Sequence, residues 1–325
     1  MSRRVAVVPA ALLALAALAL GGRPARAQDA GEVRSRCVET GGAPDRCTRA
    51  AVGARALMGE VGLASGLGSE VPGSPSPLGR KIGNRPRLST SLRIAGSAAS
   101  LPDVFHVGPG PATEARSFVL PAIHLGVAAG LLDGFSLLPT VGGFLSLDAF
   151  ASLSFVMPPS GEGFHGSATG LSFGVRAGIL RESFTLPGLA VSVSRRYAGD
   201  VRLGDAALGD PADLSVDPAV TSVRATVGKD LFGVGVLGGM GWDFHSADAL
   251  IRLGTDGTAP IELSSPLEAD RRVYFGGAAL SFLLLQLSVE AGWAGGFERV
   301  PGTTGEAFDS ARGSAFGSVA VRFTP

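Results

Sequence analysis

From Arg87 onward, apolar side chains recur at every second position, separated by Ser, Gly, Ala or a charge. Period two places successive side chains on opposite faces of a strand. Between Ser167 and Ile179 one face reads Leu171, Phe173, Val175, Ala177 and Ile179, and the other Gly170, Ser172, Gly174, Arg176 and Gly178. Leu283 to Trp293 repeats this, with Leu285, Leu287, Val289 and Trp293 against Gln286, Ser288, Glu290 and Gly292. In the last stretch Ala315, Val319, Val321 and Phe323 oppose Ser314, Ser318 and Arg322. Ten such segments are expected, at about 87–96, 118–130, 143–157, 167–180, 187–199, 217–229, 231–243, 272–281, 283–295 and 312–324. The connections 131–142 and 181–186, and the turns near Lys229-Asp230 and Phe282, are short to moderate. The connections 97–117, 158–166, 200–216, 244–271 and 296–311 are longer and more polar.

An even number of antiparallel strands, with tight turns at one end and long loops at the other, is the layout of a transmembrane barrel. Alternation alone fits two arrangements. A soluble β-domain turns its apolar face inward, whereas a barrel in lipid turns it outward and fills its lumen with small or polar side chains. Three features favour lipid. The segments match a tilted membrane strand of about 9–11 residues better than the ~5–6 of soluble strands. The small-residue face carries charged or ionisable groups in mid-strand, and these are the candidate lumen-lining residues: Arg93, His124, Asp148, Arg176, Arg196, Arg224, Arg272, Glu290 and Arg322. Aromatic residues stand near strand ends, where an apolar body with a polar tip favours the membrane interface. Phe232 and Phe323 fall toward the short turns; Phe155, Tyr197, Trp242 and Trp293 fall toward the long loops.

The N-terminus reads differently. Arg3 and Arg4 precede an uncharged run from Val5 to Leu20, and Ala25-Arg26-Ala27 offers a cleavage site, so residues 1–27 are expected to be a secretory signal peptide. That leader holds four arginines and no acid, so its removal leaves a net charge of −4 on residues 28–325. Export favours a disulfide between Cys37 and Cys47. Asp45 to Glu60 has helix-compatible spacing and predicts one short periplasmic helix stapled at its start. Residues 61–86, rich in Gly, Pro and Ser, form a linker or plug, which makes 28–86 one unit and 87–325 the barrel. Composition narrows the field further. With 48 Gly in 325 residues, long helices are disfavoured, because Gly weakens a helix by about 1 kcal/mol. A hydrophobic fraction of 46% excludes disorder, and a zero formal charge gives no case for nucleic acid.

Two motifs invite chemistry that their context withholds. Gly233-Val-Gly235-Val-Leu-Gly238 matches a dinucleotide fingerprint but no helix follows it. Gly170-Leu-Ser172-Phe-Gly174 matches a nucleophile elbow, yet Ser172 sits in mid-strand rather than on a sharp strand-to-helix turn. His106, His124, His165 and His245 have no supporting motif, and no catalytic residue, cofactor or metal is assigned. The inward arginines outnumber Asp148 and Glu290. Either they pair with these acids and with plug residues, closing the barrel, or they line a narrow path that favours anions. The long loops are acidic, with Asp200, Asp205, Asp210, Asp213, Asp256, Glu262, Glu268 and Asp270 among their charges. They could bind divalent cations or be simply solvated, and none has EF-hand spacing.

On these residues, 87–325 resembles the bacterial outer-membrane β-barrel proteins. The last strand, Ser314-Ala-Phe-Gly-Ser-Val-Ala-Val-Arg-Phe323, is similar to the C-terminal strand that the barrel-assembly machinery reads, here followed by Thr324 and Pro325. The leader, the Gly/Pro-rich segment and the barrel after it are also similar to the fatty-acid-transporter-like barrels, whose N-terminus plugs the lumen; Glu70-Val71-Pro72-Gly73 stands where that family has Asn-Pro-Ala. The expectation is therefore an all-β, antiparallel transmembrane barrel of about ten strands, with eight to fourteen compatible, in the outer membrane with both ends periplasmic. Its expected partners are outer-membrane lipid and the assembly machinery, and its solute is unknown. Its expected role is non-enzymatic: a narrow channel or plugged transporter for small anionic or apolar solutes, or a structural barrel. The alternative is a soluble exported β-rich binding module at the cell surface or in the periplasm.

Overall fold

The computed structural model describes residues 30–74, 76–81, 85–108, 114–135, 143–255, 258–300 and 307–325, so the expected leader lies outside the described residues. Ten long strands dominate: β1 (Leu88–Pro102), β2 (Ala115–Leu132), β3 (Ser146–Val156), β4 (Ala168–Leu180), β5 (Gly188–Ala198), β6 (Ala219–Leu231), β7 (Val234–Thr255), β8 (Thr258–Phe282), β9 (Leu285–Ala294) and β10 (Ser314–Phe323). Each pairs antiparallel with its neighbour in sequence, and β10 returns to β1, so the sheet closes into a barrel with no free edge along its paired length.

Residues 244–271, expected as a loop, instead extend β7 and β8 as a ribbon, paired from Phe244↔Asp270 up to Leu253↔Ile261. The alternation persists there, but its sense inverts. Lower on β7, Val234, Val236, Met240, Trp242 and Phe244 are exposed, while Asp243 and His245 are buried inward. Higher up, the inward positions become Ala247, Ala249, Ile251 and Leu253, and the outward ones Ser246, Asp248 and Arg252. The faces exchange polarity within a few residues, which marks where the sheet leaves hydrocarbon and the ordinary rule of apolar-inside resumes. Three short strands, Ala212–Val216, Val201–Leu203 and Phe164–His165, add to this rim in turn.

The turn expected at Lys229-Asp230 lies instead at Phe232-Gly233. Both residues have positive φ, 55° and 87°, the type I′ geometry that matches strand twist. Lys229 donates to the carbonyls of Phe184 (2.9 Å) and Leu186 (3.2 Å) of the adjacent turn, and Asp230 accepts from the Gly233 N–H at 3.1 Å.

The expected helix over Asp45–Glu60, stapled at its start by Cys37–Cys47, is present, but it is longer, has a companion and lies elsewhere. Among the described residues there are two α-helices, α1 (Ala30–Glu39) and α2 (Pro44–Ala64), bridged by Cys37–Cys47. They do not lie at the short-turn end, where a periplasmic helix was expected. α2 sits inside the barrel at its long-loop end, where Gly53 meets Val104 and Leu214, Gly59 meets Phe297, and Gly62 meets His245 and Val220. Every residue from Cys47 to Ala64 is buried, as a helix enclosed on all sides requires. Its Ala, Val, Leu and Met surface finds apolar surroundings in the rim, where Ala50, Leu57 and Met58 share one core with Val201, Leu203, Leu214, Val216 and Ile251. Its charges find partners inside the barrel: Arg49 donates to the His106 carbonyl (3.1 Å), Arg55 to the Glu298 carbonyl (2.6 Å), and Ser314 to one carboxylate oxygen of Glu60 (2.7 Å). The first described residues therefore lie at the long-loop mouth and the C-terminus at the short-turn end, against the expectation that both ends share one side.

Candidate functional site: the lumen and the segment that fills it

Below α2 the chain runs down the lumen. Gly66 abuts Arg196, Gly68 abuts Glu290, Gly73 abuts Gln286, and Gly79 reaches Gly130 near the short turns. Gly68 has φ +72°, and a Cβ there would collide with the Glu290 carboxylate, so only glycine fits. The strand walls leave room for this segment by presenting small inward residues, including Gly126, Ser152, Ser172, Gly174, Ser192 and Ser194.

The lumen charges bind this segment and one another. Glu290 accepts from the Ser69 N–H (2.9 Å) and hydroxyl, and lies 3.7 Å from Arg93. Arg93 also donates to the carbonyls of Leu67 and Ser69, the latter at 2.6 Å. Asp148 takes the Leu78 N–H (2.9 Å) and pairs with Arg176 at 2.7 Å. Arg176 reaches on to the carbonyls of Ser74 (2.9 Å) and Ser76 (3.1 Å). Asp243 pairs with Arg224 at 2.7 Å and Arg196 at 3.2 Å and accepts from Ser222, while Arg196 donates to the Gly66 carbonyl. Ser194 donates to Glu70 at 2.6 Å. A charge held this way is stable only while its partners stay.

Arg93, His124, Asp148, Arg176, Arg196, Arg224, Glu290 and Arg322 are all buried on the inward face. Arg272 is not: it points outward, level with Trp242 across the ladder. Arg271 holds the inward place, donating to the Gly59 carbonyl and lying 3.7 Å from Glu60. The expected segment began at 272, so no earlier residue set its parity. Asp243 and His245 were missed because they fell at a segment end and in an expected loop. Asp243 shares the parity of Gly235, Gly239 and Gly241, and that signal was available in the sequence.

The outer surface has the opposite character. Leu171, Phe173, Leu285 and Val289 are 48%, 39%, 52% and 50% exposed, against 3% for Arg176 and 5% for Glu290. A soluble module would bury the first four. Phe155, Tyr197, Trp242 and Trp293 are exposed toward the long loops, joined by Phe244 and Tyr274; Phe232 and Phe323 are exposed toward the short turns. No helix among the described residues is long and apolar enough to cross a membrane.

Ser172 makes no hydrogen bond and faces a void of about 30 Å³ that His124 and Arg196 also line. That space suits a water, not a substrate. Gly238 lies inside β7 with no helix after it. Among the described loop acids, Asp200 pairs with Arg202, Glu262 with Arg252, and Asp309 with Arg299. The Arg299 guanidinium and the Ala311 N–H hold the Asp309 carboxyl below its ordinary pKa. Among the described residues no three His, Cys, Asp or Glu side chains are placed to hold a metal.

This is the architecture of a bacterial outer-membrane β-barrel. No family model matches the chain, and no curated protein does. Among solved structures, the translocator domain of the autotransporter NalP from Neisseria meningitidis is similar at 15% identity, covering 73% of this chain and 88% of its own, with a TM-score of 0.38. The transport unit of the autotransporter AIDA-I from Escherichia coli is 9% identical over 83% of this chain and 98% of its own, with a TM-score of 0.37. A deletion mutant of the TodX monoaromatic hydrocarbon channel is 12% identical over 82% of this chain and 75% of its own, with a TM-score of 0.31.

Proposed function

We propose that the chain resides in the bacterial outer membrane as a non-enzymatic barrel, shut at rest by its own N-terminal segment, and serves as a plugged transporter for small solutes. The observation that supports this reading is how the interior is filled. A barrel built only as a scaffold closes its lumen with side chains from its own strands. Here the strands present inward Gly and Ser beside the buried charges and Phe150, Phe275 and Phe316, and residues 65–74 and 76–79 occupy the space left between them through hydrogen bonds and ion pairs. A separate segment held by polar contacts is one that can be displaced.

Planar-bilayer recording tests the reading. The full chain is expected to show no conductance steps. A variant lacking residues 30–79, with heat-modifiable migration on a gel as the check of folding, is expected to conduct. Its lining would then present Arg93, Arg176, Arg196, Arg224, Arg271 and Arg322 against Asp148, Asp243 and Glu290, so its current should favour anions. Arg176→Glu or Arg224→Glu should reduce that preference. Steady current through the full chain would overturn the plug, and cation preference would overturn the arginine-lined path.

A further inference from the structure

Arg195 stands on the outward face of β5, between Val193 and Tyr197. The register sets it level with Phe173 of β4 and, across Thr221 of β6, with Phe244 of β7. Tyr197 and Phe244 belong to the exposed aromatic belt of the long-loop side, so the guanidinium lies at headgroup depth in that leaflet. Its neighbours orient it. It donates to the Thr221 hydroxyl at 2.6 Å, its other amino group points to the Ser246 hydroxyl at 3.5 Å, and it lies 5.3 Å from the centre of the Tyr197 ring. No carboxylate among the described residues pairs with it. Below it the wall is the apolar lipid face, with Val175, Val223 and Trp242.

The guanidinium opens into a groove of about 580 Å³ on the outer wall, within the ~300–1,000 Å³ typical of ligand sites. The groove forms where strand lengths diverge. The β5–β6 and β6–β7 ladders end at Tyr197↔Ala219 and Ala219↔Ser246, while β7 and β8 stay paired up to Leu253↔Ile261. Farther from the membrane than Arg195, its walls carry three acids. Glu268 is one outward position higher, level with Ser246, and Asp248 and Asp217 are higher still. The Asp248 N–H donates to the Asp217 carboxylate at 2.9 Å, which holds these two residues together. Asp217 and Asp248 are exposed and Glu268 is half-buried, so all three can be reached from solvent. No cation among the described residues pairs with any of them.

From the membrane outward, the wall therefore reads apolar, cationic, anionic. An aminophospholipid has the matching order: acyl chains, then a phosphate, then a terminal primary ammonium. Guanidinium meets phosphate through paired N–H donors, and a primary ammonium gives hydrogen bonds to carboxylates. A headgroup with phosphate alone would bring its charge toward three acids. A quaternary ammonium would offer them charge but no hydrogen-bond donor.

We propose that this groove binds one aminophospholipid of the long-loop leaflet, with its phosphate on Arg195 and its ammonium among Glu268, Asp217 and Asp248. The proposal rests on the outer surface lying in lipid, as the proposed function does, but not on a displaceable plug.

Trp293→Phe leaves Trp242, one outward position below Phe244, as the single tryptophan, under the groove. This protein is folded in phosphatidylcholine vesicles that contain a minor fraction of dibrominated phosphatidylethanolamine, phosphatidylcholine or phosphatidylglycerol. Bromine quenches an adjacent indole, so Trp242 emission reports the relative affinity of each lipid for this face. The expected result is at least fivefold preference for phosphatidylethanolamine over the other two. Arg195→Gln should lower its affinity at least fivefold. Asp217→Asn, Asp248→Asn and Glu268→Gln together, all at solvent-reachable positions, should bring phosphatidylglycerol to within twofold of phosphatidylethanolamine. Heat-modifiable migration checks that each variant is folded. Equal quenching by the three lipids would be ordinary bilayer contact and would overturn the site. Preference for phosphatidylglycerol in the parent protein would overturn the ammonium assignment, and unchanged selectivity in Arg195→Gln would overturn the phosphate assignment. Absence of quenching by every lipid would deny this face to lipid and overturn the proposed function as well, whereas failure of the plug is read by conductance and leaves these outcomes unchanged.

Discussion

Replacing Asp243 with Asn asks whether the lumen is dry. Asn keeps the shape and removes the charge that Arg224 meets at 2.7 Å and Arg196 at 3.2 Å. All three side chains are 2% exposed or less. In a water-filled channel such pairs are screened and contribute about 0–1 kcal/mol. In a plugged lumen, stripping the acid leaves two guanidinium groups buried with only the Gly66 and Trp242 carbonyls and the new amide oxygen to meet them. Breaking a buried pair costs about 3–5 kcal/mol, and two arginines are stranded here, so the upper half of that range is expected. At 1.4 kcal/mol per tenfold, the folding equilibrium falls by a factor of about 10³. Reversible urea unfolding in vesicles, followed by emission of Trp242 and Trp293, measures it: the midpoint should drop with the slope unchanged. Glu262→Gln, at the rim bridge to Arg252, is the control and should shift stability by less than about 1 kcal/mol. If Asp243→Asn falls within about 1 kcal/mol of wild type, the lumen is solvated and the plugged reading is wrong.

Further outcomes follow from the same geometry. Leu171→Arg, on the lipid face, should cost about 2–4 kcal/mol in the same unfolding assay, and an unchanged midpoint would mean that this face does not meet hydrocarbon. Gly68→Val forces a Cβ onto Glu290 at positive φ, so it should dislodge the segment and raise bilayer conductance, leaving heat-modifiable migration intact. Cys37→Ser opens a 10-residue covalent loop worth about 2–3 kcal/mol, so α1 should become protease-sensitive from the long-loop side while the barrel resists. Asp309 has its carboxyl held low by Arg299, so its tether contributes fully above the ordinary aspartate pKa of about 3.9 and is lost only as pH falls through the lower folded value; proteolysis near Arg299 should stay constant from pH 7 to pH 5.

The barrel was legible because its physics is local. A strand that faces lipid on one side and a crowded lumen on the other must alternate, and Leu171 against Arg176 or Val289 against Glu290 states this without any distant contact. The segment inside was not legible to the same degree. Nothing local distinguishes Gly66, Gly68 and Gly73 as plug residues from glycines of a solvated linker, because the groups that require them, Arg196, Glu290 and Gln286, lie far away in sequence. Arg272 failed for a narrower reason: the alternation was started at 272, and a one-residue error of phase moves a side chain to the other face.

The rim shows why reading polar stretches as loops fails in such a protein. Residues 244–271 look loop-like only if strands are recognised by an apolar face pointing outward. On β7 the outward series passes from Phe244 to Ser246 and Asp248 while the inward series passes from Asp243 and His245 to Ala247 and Ile251, so alternation continues and only its sense changes. The solvent changed, not the secondary structure. The inverted stretch needs an apolar body to cover, since its inward face would otherwise bury nothing, and α2 with its continuous Ala, Val, Leu and Met surface is that body. The two features imply each other: ribbons that carry apolar residues inward above the membrane require a helix beneath them, and a helix buried on every side requires a roof. Shortening β7 and β8 by removing residues 247–267 should therefore release α2 to protease while the strands within the membrane remain folded, and loss of the entire barrel on that deletion would show that rim and membrane zone form one cooperative unit.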